Sequence, residues 1–251
     1  MSTWSVKRRF NLIFSLGLVV IAVAGIYYFF SRPAPTCFDG IKNQDEKGID
    51  CGGSCRRICS ADVKPLRVLW VRPFAVTPNM HSVAALVENP NNTAGVSSLD
   101  YQLRLVNTAG ETLAIKSGRS EARADGQFII FESNIITTEP AARAFLDLAE
   151  DQFWEELPAR RYHLPVTQRS FQAEPAPRLT ASISNRETID FTDLPVVVVL
   201  ADADGNAFAA SRTVIEYLPR FSDRDLYFTW PAPFNRYPAF VDFYVQPTVT
   251  E

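Results

Sequence analysis

Leu12 to Phe30 is an uncharged run of 19 residues, broken only by Ser15, Gly17 and Gly25. A helix rises about 1.5 Å per residue, so this run would reach roughly 28 Å, close to the hydrocarbon thickness of a bilayer. Nothing else in the chain restricts its folding so strongly. A segment this apolar is first a membrane span or a targeting segment. Lys7, Arg8 and Arg9 precede it. The positive-inside rule then places residues 1–9 in the cytoplasm, residues 10–30 in the membrane as a signal anchor, and the remainder outside. Arg32, Lys42 and Lys47 follow, so charge bias alone does not decide the orientation. The alternative is a signal peptide cleaved after Ala24, because Ala22-Val23-Ala24 has the A-x-A form. Ile26 to Phe30 stays apolar past that point, and Tyr27, Tyr28, Phe29 and Phe30 sit where an interfacial aromatic belt belongs. Both features favour a retained anchor, and on either reading the bulk of the chain is exported.

All four cysteines, Cys37, Cys51, Cys55 and Cys59, fall just after this run, within residues 31–62. Such clustering suits an oxidising compartment, where disulfides hold a segment too short to bury a core. The stretch Cys37 to Cys55 resembles a small repeat of secreted bacterial proteins, C-x-D-G-x-x-N-x-x-E-x-x-x-D-C-G-G-x-C. Its fixed positions are met at Cys37, Asp39, Gly40, Asn43, Glu46, Asp50, Cys51, Gly52, Gly53 and Cys55. The resemblance implies an exported disulfide module. Two other readings stand beside plain stapling. Asp39, Asn43, Asp45, Glu46 and Asp50 offer hard oxygen ligands for calcium, without the spacing of an EF-hand loop. Four thiolates could hold zinc, although 14 positions separate Cys37 from Cys51. Four cysteines permit three disulfide pairings, and spacing does not choose among them.

Beyond this segment about 190 residues remain, enough for one large or two small domains. The net charge is −3 and no basic block follows the first nine residues, which argues against nucleic acid as a partner. The only two histidines, His81 and His163, are thin material for a triad or a His-based metal centre. The chain is therefore expected not to be an enzyme.

An internal repeat organises the exported region. Ser82–Asn89 lines up with Arg178–Asn185, and the turn ending at Gly110 with that ending at Gly205. Phe131 lines up with Phe228, and Ala144–Leu148 with Ala239–Phe243. These landmarks keep one spacing of 95 to 97 residues, the size of a small domain that closes its own core. Tyr101, Leu103 and Leu105 alternate with Gln102, Arg104 and Val106, as in a half-buried strand. Val196 to Leu200 is a continuous apolar run, as in a strand covered on both faces. Asn107-Thr-Ala-Gly110 and Asp202-Ala-Asp-Gly205 are hairpin turns in which glycine accepts positive φ. A strand is expected at Ala142–Leu148, with room for a helical turn at Glu150–Leu157. Phe145 and Phe240 are expected to point inward, with Asp147 and Asp242 at the sandwich rim.

The terminal asparagine, the strand leading to a D/N-x-x-G turn and the late aromatic residue resemble the FxLYD and late-embryogenesis-abundant-like families of immunoglobulin-like sandwiches. That likeness implies two tandem immunoglobulin-like β-sandwiches, over residues 63–165 and 166–251, used as binding or spacer modules. The expected fold is mainly β: an N-terminal transmembrane helix, a small disulfide module and the two sandwiches.

Other motifs have plainer explanations. His163, in Arg160-Arg161-Tyr162-His163 between Pro158 and Pro165, reads as part of an interdomain linker. Asp202, Asp204 and Asn206 are better explained by a turn than by a cation loop. Asn91-Asn92-Thr93 is a glycosylation sequon that matters only in a eukaryotic secretory route. Trp230 to Phe234 with Tyr237 reads as core edge more than as a partner patch. The expected function is a non-enzymatic, single-pass plasma-membrane protein of the cell envelope that binds or spaces other envelope proteins. An exported enzyme such as a hydrolase, with its site on sandwich loops, is the alternative, as is a calcium-dependent adhesion module.

Overall fold

The structure is a computed structural model that describes residues 3–30, 35–159 and 161–247, with the side chains of residues 3–7, 29 and 30 left aside. Arg32 and Arg160 lie outside the described residues. The chain divides into two compact units, Met1–Cys55 and Arg56–Glu251.

The first unit opens with helix α1, Thr3–Phe30. Its stretch Arg8–Tyr28 has a mean hydropathy of 2.2 and none of it is buried against protein. This helix is long and apolar enough to cross a membrane. The cysteine-bearing loops that follow contain no strand, only turns and a short bridge between Gly48 and Cys51.

Apart from one short 3-10 turn, the regular elements described in the second unit are strands. Its elements are β1 Arg67–Thr77, β2 Met80–Asn89, β3 Ala94–Val106, β4 Thr112–Ala122, β5 Gly126–Ile136, β6 Arg143–Leu148 and β7 Glu155–Glu156. They continue as β8 Val166–Gln172, β9 Arg178–Ser184, β10 Phe191–Ala201, β11 Ala207–Leu218, β12 Asp223–Thr229 and β13 Phe240–Val245. A short 3-10 turn at Ser60–Asp62 precedes them. The antiparallel sheets run β1-β2-β5 and β4-β3-β6 in one sandwich, with β7 added to β3, and β8-β9-β12 and β11-β10-β13 in the other. Residues 150–157 contain no helical turn; β7 stands within the stretch left open for one.

Alternation along each strand decides which face meets which core. In β3, Leu99, Tyr101, Leu103 and Leu105 point into the first core, where Val83, Ala85, Val87, Phe128 and Ile130 meet them. In β10, Leu194, Val196, Val198 and Leu200 do the same for the second core, against Leu179, Ala181 and Ile183. The intervening residues of β2 and β10 do not face water. Ala84, Phe74, Ile129 and Phe131 of the first sandwich pack on Val197, Val199 and Ala210 of the second, flanked by Trp70 and Tyr244. The four sheets are thus stacked, and β10 is covered on both faces as its apolar run implies.

The two sandwiches share fine detail as well as strand order. Asn107 Oδ1 accepts the Ala109 and Glu111 N–H groups, and Asp202 Oδ1 accepts those of Asp204 and Asn206. Gly110 and Gly205 close these turns at φ 89° and 78°. Two expected equivalences need correction. Phe131 faces the junction between sandwiches, whereas Phe228 lies in its own core. Phe145 and Phe240 do not point inward; they are 40% and 52% exposed. The Phe-x-Asp pair shares one side of the strand, and the aspartate carries that side to water. Ala144, Leu146 and Leu148 fill the first core, while Val241, Phe243 and Val245 fill the second. The ladder also shows a slip. Val106 pairs with Arg143, and Ala201 pairs with Phe240. Phe240 therefore takes the place of Arg143, not that of Phe145.

Candidate functional site

The cysteine module follows α1, and its last cysteine, Cys59, belongs to the second unit. Cys37 is joined to Cys55, with Cα atoms 5.6 Å apart, and Cys51 and Cys59 are likewise in disulfide linkage, leaving no free thiol. With no thiolate present, the sulfur atoms are unsuited to zinc. Glu46 is buried, and its Oε1 lies 3.3 Å from Cys55 Sγ, an oxidised sulfur with no proton to give. The contact is therefore packing, and the cluster of Cys37, Glu46 and Cys55 is not a set of metal ligands.

The carboxylates expected to bind calcium accept hydrogen bonds from donors of their own loop, whereas among the described residues the buried Asn43 Oδ1 has no hydrogen-bond partner. Asp50 accepts the N–H groups of Asp39 and Gly40 at 3.0 to 3.1 Å. Asp39 accepts from Thr36 N at 3.0 Å, Ile41 N at 2.9 Å and Asn43 Nδ2 at 2.8 Å. Asp45 accepts from Ser54 Oγ at 2.8 Å, and Glu46 from Asn43 N at 3.2 Å. Thr36 N–H and then Asn43 hold the Asp39 carboxyl below its ordinary value, and the Ser54 hydroxyl does the same for Asp45. The structure brings Asp39, Asn43 and Asp50 together around backbone donors, and hydrogen bonding accounts for the acidic residues. The glycine pair of the motif has a steric cause. A Cβ on Gly53 would lie 2.2 Å from the Asp45 carbonyl oxygen.

The second unit holds a cleft of about 700 Å³ where the β4–β5 hairpin, Ala159, Arg161, Tyr162 and the end of β13 meet. Arg119, Arg123 and Arg161 line it together with Glu121, Asp125 and Tyr162. Arg161 Nη2 donates to Asp125 Oδ2 at 2.5 Å, Arg123 pairs with Glu121 at 2.6 Å, and Arg119 with Asp100 at 2.9 Å. Among the described residues, the buried Arg123 Nε finds no hydrogen-bond partner. Each of the three guanidinium groups is thus paired with a carboxylate, and the hydrogen-bonding capacity left over is that of Arg123 Nε. Its arginines come from two separated stretches, 119–123 and 161, with no motif spacing to mark them in the sequence.

The histidines are explained by structure. His81 is buried, with Nδ1 3.2 Å from Thr137 Oγ1, while its Nε2 accepts the Ala141 N–H at 3.2 Å. Thr137 spends its own proton on the Glu139 carbonyl. His81 is then the neutral Nδ1–H tautomer, and burial holds its pKa below the ordinary value. His163 is exposed, but its neighbours are not a loose linker. Leu164 is buried in the second core and Tyr162 meets Phe191 edge-on at 5.0 Å. The sequon residue Asn91 is also buried, donating to the Lys64 carbonyl and to Asn89 Oδ1, which leaves no room for a glycan. Trp230 sits at the core edge with Phe234 against it, as its sequence context suggests, and Tyr237 remains exposed.

No family model matches the chain, and no curated protein matches it. Among solved structures it is similar to a transglutaminase of red sea bream, at 12% identity and a TM-score of 0.24, over 73% of this chain. The chain spans 29% of that enzyme's length. A likeness this weak says nothing about activity.

Proposed function

We propose that the chain is a non-enzymatic, single-pass envelope protein whose exported sandwiches hold and position protein partners. In this reading α1 is a retained anchor with residues 1–9 in the cytoplasm, and the cysteine segment is a disulfide module like the repeats of secreted bacterial proteins. The sandwiches are two tandem copies of one immunoglobulin-like unit related to the FxLYD and late-embryogenesis-abundant-like domains. Their common strand order and their matching turns support the duplication.

The apolar junction carries this reading. Val197 and Val199 of β10, packed on Ala84, Ile129 and Phe131, join the sandwiches into one body. Such a body presents a surface of fixed shape, which suits a spacer or binding module. The arginine-lined cleft is the surface we assign to a partner with acidic side chains, whose carboxylates would exchange with the exposed ion pairs and reach Arg123 Nε. The test uses the full-length chain in its native membrane, cross-linked and isolated beside the variant Arg161→Glu. A stoichiometric protein partner that the variant loses supports the reading. A chain that captures none, or one that turns over an ester or peptide substrate, overturns it. Protease added to spheroplasts should remove a C-terminal tag if α1 is an anchor in the stated orientation.

A further inference from the structure

Phe38, Ile41 and Ile49 are 76%, 63% and 62% exposed, three large apolar side chains on a module of some twenty residues. Small disulfide-held loops gain little from apolar residues they leave in water. These three are not scattered. Phe38 and Ile41 flank Asp39-Gly40, whose N–H groups are clasped by the Asp50 carboxylate, and Ile49 is the neighbour of Asp50. The same bonds that occupy the acidic residues therefore hold the backbone around 38–41 beside that around 49–50.

We infer that Phe38, Ile41 and Ile49 form a docking surface for the lipid bilayer, seating the disulfide module at the membrane interface. The inference rests on the reading of α1 as a retained anchor. The tether names the occupant. Phe38 is eight residues beyond Phe30, the end of α1, a reach of at most about 28 Å for extended chain. An anchored helix thus keeps these side chains within reach of the headgroup layer at all times. Charge then fixes the mode of binding. Between Cys37 and Cys55 four carboxylates (Asp39, Asp45, Glu46, Asp50) face two lysines (Lys42, Lys47), so anionic lipid does not attract the module. The contact is apolar insertion, as with interfacial aromatic and aliphatic side chains.

The test places the photoreactive residue p-benzoylphenylalanine in the full-length protein at position 38, at position 49 or, within α1, at Val20. Each protein is reconstituted in phosphatidylcholine vesicles after mass spectrometry has shown both disulfides intact. Lipid adducts at 38, 49 and 20, with yields at 38 and 49 unchanged by high salt, are the expected result. A lipid adduct at 20 with none at 38 or 49 overturns the docking and leaves the anchor standing, as does cross-linking of 38 and 49 to protein. No lipid adduct at 20 overturns the anchor reading and the docking with it.

Discussion

Asn89 and Asn185 stand at corresponding positions in the two sandwiches and make matching bonds, with one more at Asn185. Asn89 Nδ2 donates to the carbonyls of Ala94 and Ala122; Asn185 Nδ2 donates to those of Ile189, Leu218 and Pro219. Each side chain also accepts an N–H two residues on, from Asn91 or Glu187. Both asparagines are buried. Asn89 ends β2 and Asn185 follows β9 directly; each satisfies a carbonyl at the approach to or start of the next strand and one at the end of the strand after it. Asn185→Ala leaves those carbonyls unpaired and should cost about 1–3 kcal/mol, read as a lower urea midpoint. Asn89→Ala should cost a similar amount.

Tyr101 lies across Gly118 in the β3–β4 ladder, and its hydroxyl donates to Glu132 Oε1 at 2.8 Å. A Cβ on Gly118 would fall 2.3 Å from that hydroxyl oxygen. Gly118→Ala must push the ring away from Glu132 and should cost about 1–3 kcal/mol. Thermal unfolding measures it. Gly126→Ala, whose Cβ meets only the Ala124 carbonyl at 3.7 Å, is the control with little effect.

Much of this fold is legible in the sequence because alternation and turn chemistry are local. The strand at Ala142–Leu148, the Asn107 and Asp202 turns and the doubly covered run Val196–Leu200 all follow from period and residue type. Register does not. Phe145 and Phe240 look equivalent in sequence, but equivalence in a ladder depends on the lengths of the preceding connections, which differ between the copies by two residues. Their outward direction was also hidden, since an aromatic residue invites an inward reading until its aspartate neighbour is weighed. The junction and the arginine cleft are contacts between distant segments and leave no spacing signal. The acidic loop did have one, but ligand-rich composition does not distinguish calcium coordination from carboxylates bonded to their own backbone.

The junction should make the sandwiches unfold together. Arg72 of β1 donates to the Ala207 carbonyl of β11, and Arg212 of β11 donates back to the Phe131 carbonyl of β5 while lying over the Phe131 ring. These bonds frame the apolar patch around Val199, which is 3% exposed. Val199→Asp puts an unpaired carboxylate there and should split a single calorimetric transition in two, or lower it sharply. One unshifted transition would show that the patch does not couple the sandwiches.

Protonation of His81 should weaken the first sandwich. Its folded pKa lies below the ordinary value of 6.5 because burial penalises the charged ring. Between those two values the unfolded chain takes up a proton that the folded chain refuses. This contribution is fully present above about pH 6.5, falls as the pH drops below it, and levels off once the folded ring titrates. Urea midpoints at about pH 7.5 and about pH 5.5 should differ, and the part due to His81 should vanish in His81→Gln.

The last strand separates the two directions a phenylalanine can take. Phe243 lies on the inner side of β13 with Val241 and Val245, and its ring is 6.1 Å from that of Phe228, which is 1% exposed. Phe240 lies three residues earlier on the opposite side and is half exposed. Truncation at 243 removes atoms that fill the second core, and the antiparallel β10–β13 ladder holds the strand in place, so the void cannot collapse fully. Phe243→Ala should cost about 3 kcal/mol, the low end for a buried phenylalanine because this one is only partly enclosed. Phe240→Ala should cost less than about 1 kcal/mol, since half its surface is already in water. Guanidinium unfolding of the two variants ranks them. A larger loss at 240 than at 243 would mean that β13 is shifted by one residue against β10, turning every side chain of the strand to the other face.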